Sequence, residues 1–368
     1  MLKAILLAVV IGGFMLTANL FSSTAEKDLT LVGAHHTDKG FQNTAKDFSN
    51  DTAILPLLGR YITEKRTDAA PLKAIPVITL QQQDLLDIPV DRDTVIRLGH
   101  STIYLQIAGQ RWLIDPVFSE RASPFSFVGP KRFHQPPIAL SQLPDIDGVL
   151  ISHDHYDHLD KDTIAQIQHK VQHFVVPLGV DKHLLKWQVP AAKITALDWW
   201  QSAQFDKLNI TATPTQHFSG RGLLDRDETL WASYVIKGPD SNVYFSGDPG
   251  YFDGFKEIGR RYGPFDLTMI ETGAYDKDWS TIHMSPQQSF QAHQDLGGNA
   301  MMPIHNGTFD LAFHSWYEPL ARIQALISAH NDNQADTVNK VQLLTPKMGQ
   351  TLAVNNFPHT QSWWKNLN

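Results

Sequence analysis

The chain has 368 residues, 42% of them hydrophobic and 19% charged, with a formal net charge of −7 and no cysteine. That is enough to bury the core of one large α/β domain or two small ones, and the composition excludes a disordered or multi-spanning chain. The acidic balance leaves no footprint for nucleic acid, and without cysteine there are no disulfides or thiolate metal sites, so any zinc must be held by nitrogen and oxygen.

In chain order, Lys3 precedes an apolar run over residues 4–21, interrupted by Gly12, Gly13, Thr17 and Asn19. Ser23-Thr24-Ala25 then offers the small residues a signal peptidase prefers. The run is short for a bilayer span, which takes about 20 apolar residues. Residues 1–25 are therefore expected to be a signal peptide or N-terminal membrane anchor. Either would place the protein in the periplasm, or on a membrane facing it. Residues 26–90 are polar and punctuated by Pro56, Pro71, Pro76 and Pro89. They are expected to form an irregular arm with at most short helices, wrapped around the main domain.

From Asp93 the texture changes to short β-type runs at 94–98, 102–107 and 111–114, the last two joined across Gly109 as a hairpin. Further runs follow at 148–152, 173–176, 208–213, 232–236, 243–246, 267–271 and 301–304, with helical patterns at 161–169, 252–260, 286–294 and 316–327. Many strands with interspersed helices predict two packed sheets flanked by helices, in one catalytic domain over residues 91–368.

The chemistry concentrates in Ser152-His153-Asp154-His155-Tyr156-Asp157-His158, directly after an apolar strand. A turn leaving a rigid strand end can aim several side chains into one cavity. Imidazole and carboxylate are the donors zinc takes when thiolates are absent. His153 and His155 can bind one ion while Asp157 and His158 turn toward a second. His217, Asp248 and His305 each follow a β-type run. Alone, each would more often be structural; together they describe one cluster.

This set resembles the metal signature of the metallo-β-lactamase superfamily. The resemblance narrows through Asp115-Pro116-Val117-Phe118-Ser119-Glu120-Arg121-Ala122-Ser123-Pro124, Gly129-Pro130-Lys131-Arg132-Phe133, Leu197-Asp198-Trp199-Trp200, Leu230-Trp231-Ala232-Ser233 and Gly263-Pro264-Phe265-Asp266-Leu267. These stretches, with 143–160, are similar to N-acylphosphatidylethanolamine-hydrolysing phospholipase D, over roughly residues 90 to 320. The resemblance implies an α/β fold of the αββα sandwich type and two Zn2+ per chain. His153, His155 and His217 would hold one ion, Asp157, His158 and His305 the other, and Asp248 would bridge them as a catalytic residue. It implies hydrolysis at phosphorus, releasing an N-acylethanolamine and a phosphatidic acid.

His283 fits the family's substrate-contacting histidine and is a candidate proton donor to the leaving group. Tyr156 fits a second substrate contact. Asp115 and His100 are expected to orient ligand side chains from behind. Arg121, Lys131 and Arg132 either meet lipid phosphate or form a solvated basic surface. Trp199, Trp200, Phe125 and Phe127 are expected in the core. The expected partner is a phospholipid at a membrane surface, not nucleic acid, and a homodimer is admissible. Two readings compete. One is another hydrolase on this scaffold, such as a lactonase with a small polar pocket for a phosphorylated substrate. The other is a non-catalytic metal- or lipid-binding periplasmic protein.

Overall fold

Strands buried on both faces read as nearly continuous apolar runs, and this chain builds two sheets from such runs. The computed structural model describes residues 33–45, 63–335, 340–354 and 356–368, together with Phe48, Leu57, Gly59 and Arg60. The expected signal or anchor at 1–25 lies outside the described residues. Among the described residues, no helix is long and apolar enough to cross a membrane. Residues 64–90 carry one short helix, α1 (Gln82–Leu86), in otherwise irregular chain.

The first sheet opens with β1 (Thr94–Gly99), β2 (Thr102–Ile107) and β3 (Gln110–Ile114), paired antiparallel. It continues parallel through β4 (Ile146–Leu150), β5 (Val171–Pro177) and β6 (Ile194–Leu197). Helices α2 (Lys161–Ile167) and α3 (Asp181–Lys186) make the crossovers. The second sheet repeats the plan. Its strands β7 (Ser202–Phe205), β8 (Leu208–Thr213), β9 (Ser233–Lys237) and β10 (Asn242–Phe245) are antiparallel, and β11 (Phe265–Glu271), β12 (Gly298–Ile304) and β13 (Gln342–Leu343) are parallel. Helices α4 (Gly254–Tyr262), α5 (Pro286–Leu296) and α6 (Glu318–Asp332) accompany it, and β14 (Thr351–Ala353) returns to pair with β1.

Side-chain alternation along each strand sorts the core into layers. Val95, Leu105, Ile114 and Leu150 meet Ile210, Phe245, Met269 and Met302 between the sheets. Ile96, Tyr104, Val149 and Phe174 face outward onto Ile164 and Leu184 of the helices. Tyr244, Phe265 and Met301 pack likewise under Phe255, Leu296 and Ile323. Each such apolar side chain contributes about 1.5–3 kcal/mol when fully buried. Gly148 is required in β4, because a Cβ there would fall 2.2 Å from the Trp112 ring that lies across it. The αββα sandwich expected from the sequence is the fold observed.

The sequence reading passed over β6 and β7. Both are only partly buried and β7 is half polar, so neither shows an apolar run. Phe125 and Phe127 correct an expectation. They are 51% and 76% exposed, on a Ser-, Pro- and Gly-containing loop, with their ring centroids 5.6 Å apart. Trp199 is buried as expected, its indole N–H donating to the Trp231 carbonyl (2.7 Å), whereas Trp200 is half-buried beneath the Arg261 guanidinium.

Candidate metal centre

Strand ends place almost every polar side chain of interest. His100 follows β1, Asp115 follows β3, the 152–158 segment follows β4, Asp248 follows β10, Glu271 closes β11 and His305 follows β12. Asp160 ends the 152–158 turn by capping α2, its carboxylate accepting from Asp162 N (3.1 Å) and Thr163 Oγ1 (2.6 Å). The turn therefore has a strand on one side and a helix start on the other, which leaves its side chains little freedom. Gly247 stands at φ 60°, and a Cβ there would crowd Ser152 Cβ (3.0 Å) and the Ala232 carbonyl (3.1 Å). Glycine at that point lets Asp248 reach the cluster.

Two groups of donors form. His153 Nε2 lies 2.9 Å from His155 Nδ1, and His217 Nε2 lies 3.3 Å from the same atom. In the second group, Asp157 Oδ2 stands 3.1 Å from His100 Nε2, 3.2 Å from His305 Nε2 and 3.7 Å from His158 Nε2. Asp248 lies between the groups, its Oδ2 2.7 Å from His305 Nε2, 2.9 Å from His158 Nε2 and 3.9 Å from His153 Nε2. His153, His155, Asp157, His158, His217, Asp248 and His305 are thus gathered at one point, and His100 joins them.

The electrostatics divide the same way. Burial, together with the neighbouring imidazoles, holds His153 and His217 well below the usual histidine range, and burial lowers His155 to about 4. Shifts in that direction favour the neutral ring, the form that offers a lone pair to a cation. Burial would lower His158 and His305 as well, but Asp248 and Asp157 raise His158 well above its ordinary value and His305 to about 9. Burial would raise Asp157 and Asp248, and the facing histidines hold both well below the usual carboxylate range.

The donor set fits divalent metal. Imidazole nitrogens that converge in the first group cannot all donate to one another, and among the described residues the buried Asp248 Oδ1 accepts no hydrogen bond. A cation satisfies both conditions, and nitrogen and carboxylate oxygen suit zinc as well as iron or manganese.

Support lies behind the cluster. Asp115 Oδ2 accepts from Ser152 Oγ (2.6 Å) and meets His158 Nδ1 at 2.6 Å, while Oδ1 accepts from Ser152 N (2.7 Å). That contact turns His158 Nε2 toward the carboxylates. Arg97, fully buried in β1, donates to the carbonyls of His100 (3.1 Å) and Asn306 (2.5 Å) and so braces the backbone beside His305. Asp154, inside the motif, points the other way. It accepts from Gly220 N (2.8 Å) and Thr229 Oγ1 (3.0 Å), bracing the loop that follows β8.

A cleft of about 140 Å3 opens over the cluster. His155, Asp157, Asp248 and His305 line it together with Tyr156 and His283, and its apolar lining is Ala122, Pro130, Phe218, Ala274, Trp279, Ile282 and Leu311. His283 is set by α5, whose capping box joins Ser285 N to Gln288 Oε1 (3.0 Å) two residues later. Its Nδ1 faces Glu271 Oε1 at 3.4 Å. Glu271 itself accepts from Gly273 N and Met284 N, both at 3.0 Å, and burial raises its carboxyl. The sequence reading missed Glu271, although it ends an apolar strand much as Asp248 follows one. Tyr156 Oη donates to the Arg221 carbonyl (2.9 Å), and the Arg221 guanidinium covers its ring at 4.0 Å.

The basic residues do not gather here. Arg132 is buried on the Val117 and Phe118 carbonyls, Lys131 pairs with Glu120 (2.7 Å) and Arg121 donates to the Gly129 carbonyl (2.6 Å).

A two-sheet sandwich clad in helices, with histidines and carboxylates collected where its strands end, defines a metal-dependent hydrolase. Residues 110–306 match the model of the beta-lactamase superfamily domain, and the chain belongs to the metallo-β-lactamase superfamily. It is 41% identical over 337 residues to an uncharacterized protein of Mycobacterium tuberculosis, covering 90% of this chain and 87% of that one. It is 37% identical over 249 residues to N-acyl-phosphatidylethanolamine-hydrolyzing phospholipase D 1 of Caenorhabditis elegans, covering 64% of this chain and 70% of the relative. Igni18, a metallo hydrolase of Ignicoccus hospitalis, shares the fold at 19% identity, with a TM-score of 0.52 over 71% of this chain and 97% of its own.

Proposed function

We propose that the protein is a zinc-dependent phosphodiesterase of the phospholipase D type. It would cleave N-acylphosphatidylethanolamine-like phospholipids into an N-acylethanolamine and a phosphatidic acid, at a membrane surface outside the cytoplasm. The observation that carries this reading is the apolar lining of the cleft over a cluster made of histidine and carboxylate. A small phosphorylated lactone would call for polar walls, whereas Phe218, Trp279, Ile282 and Leu311 suit hydrocarbon. Intact donors at all seven expected ligand positions support catalysis over simple binding.

His153, His155 and His217 would hold one ion, Asp157, His158 and His305 the second, with Asp248 shared. Bound ions would supply Lewis acidity and water of lowered pKa. The residues of the chain do the rest. Tyr156 and His283 flank the position of the phosphodiester. His283, with Nδ1 toward Glu271, presents its other edge to the cleft, where it can give a proton to the departing alkoxide oxygen as the P–O bond breaks. With substrate seated, the apolar walls would limit the water that reaches the phosphorus.

The test is incubation of the purified protein with an N-acylated phosphatidylethanolamine and, separately, with a small phosphorylated sugar lactone, reading products by mass spectrometry. The expected result is N-acylethanolamine and phosphatidic acid from the lipid and no opening of the lactone. Turnover of the lactone alone would replace this reading with the lactonase.

A further inference from the structure

The arm at residues 33–45 is tied to the domain at several points, and one of them reaches the metal centre. His35 Nε2 and His36 Nε2 meet the two carboxylate oxygens of Asp198 at 2.6 and 2.8 Å, and the His35 ring stacks on Trp199. The chain then turns back on itself, Thr37 N donating to the Gly40 carbonyl and Gln42 N to the His35 carbonyl, both at 2.8 Å. Phe41 N donates to the Asp227 carbonyl (2.8 Å) in the loop that follows β8. These contacts fix where the next side chain goes.

That side chain is Asn43. Its Nδ2 donates to the His217 carbonyl (2.6 Å) and its Oδ1 accepts from His217 N (3.0 Å) and from Trp231 Nε1 (3.3 Å). A carboxamide carries one donor group and one acceptor, so it can occupy both backbone groups of a single residue, as a paired strand would. His217 lies beyond the end of β8 and, among the described residues, has no ladder partner of its own there. Its ring is held separately, by Nδ1 at 3.1 Å from the Ile282 carbonyl. Backbone and ring are therefore gripped from two different segments, and Nε2 is left facing His155.

We propose that Asn43 is a positioning residue for the metal centre, holding the His217 backbone so that its imidazole meets the ion shared with His153 and His155. The arm is then part of the catalytic apparatus rather than a wrapping. This rests on His217 being a metal ligand, as argued above.

The experiment is cobalt(II) titration of the full-length, chelator-stripped protein, following the visible absorption of each ion as it binds. Wild-type protein is expected to take up two ions, and His217→Ala identifies the phase that belongs to its ion. Asn43→Ala is expected to weaken that same phase by about 10- to 100-fold, the usual effect of losing a partner behind a ligand, and to leave the other unchanged. Uptake of both ions at wild-type affinity overturns the proposal, as does equal weakening of both, which would mark a general structural effect. Wild-type protein that takes up no ion overturns the metal centre along with it. If Asn43→Ala does not fold, Asn43→Asp decides on the same criteria. It is nearly isosteric and keeps the acceptor for His217 N while losing the donor to its carbonyl.

Discussion

Asp248→Asn is expected to strip or severely weaken both metal ions and to lose more activity than alanine at any one histidine of the cluster. The carboxylate stands 2.7 and 2.9 Å from two imidazoles of the second group and 3.9 Å from His153 of the first. Asparagine keeps the shape and removes the charge. It thereby takes one of the two facing carboxylates from the buried cationic partners, whether protons or metal, and leaves Asp157 alone opposite them. Breaking one side of a buried charge pair costs about 3–5 kcal/mol, or roughly a hundred- to several-thousand-fold in affinity. With two ions bound as proposed, a histidine at the edge of one group would affect its own ion first, whereas Asp248 would affect both. Elemental analysis of the purified variant, beside the His155→Ala and His305→Ala proteins, measures this. A variant that keeps two ions and most of its turnover would contradict the bridging role.

His283→Ala is expected to depress kcat by about 10²–10⁴-fold, the range for removal of a general acid, with metal content unchanged. His283 lines the cleft, its ring centroid 5.3 Å from that of His217 and 5.2 Å from that of His305. Its Nδ1 stands 3.4 Å from Glu271 Oε1. Separating kcat from KM distinguishes proton delivery from substrate binding, because a residue acting only in the transition state lowers kcat and kcat/KM equally. Loss of an ion from this variant would instead place His283 among the ligands, where its proximity to His217 and Asp248 makes it eligible.

Much of this site is legible in the sequence because its parts are local. Ser152 to His158 fit within one turn between β4 and the cap of α2, so density and placement alone announce them. His217, Asp248 and His305 are readable only together, as polar residues after apolar strands. Glu271 obeys the same rule, but a lone acid at a strand end carries no chemistry until His283 is known to lie beside it. Asn43 is further out of reach. It lies 174 residues from His217, in a polar arm without periodicity, and only the docked fold shows what its carboxamide grips. Direction is the other thing a motif omits. Asp154 sits between two histidines of the cluster, yet its side chain braces the 220–229 loop. Burial misleads both ways, since Phe127 projects from a loop while Arg132 hides beneath one. In each case loop shape, rather than residue type, decides.

Heavy-oxygen water tests most directly whether the nucleophile attacks phosphorus in this cleft. Turnover of an N-acylated phosphatidylethanolamine in that solvent should place the heavy oxygen in the phosphatidic acid and leave the N-acylethanolamine unlabelled. Label found in a released fatty acid, with the phosphodiester intact, would contradict the account and make the protein an esterase on the same metal centre.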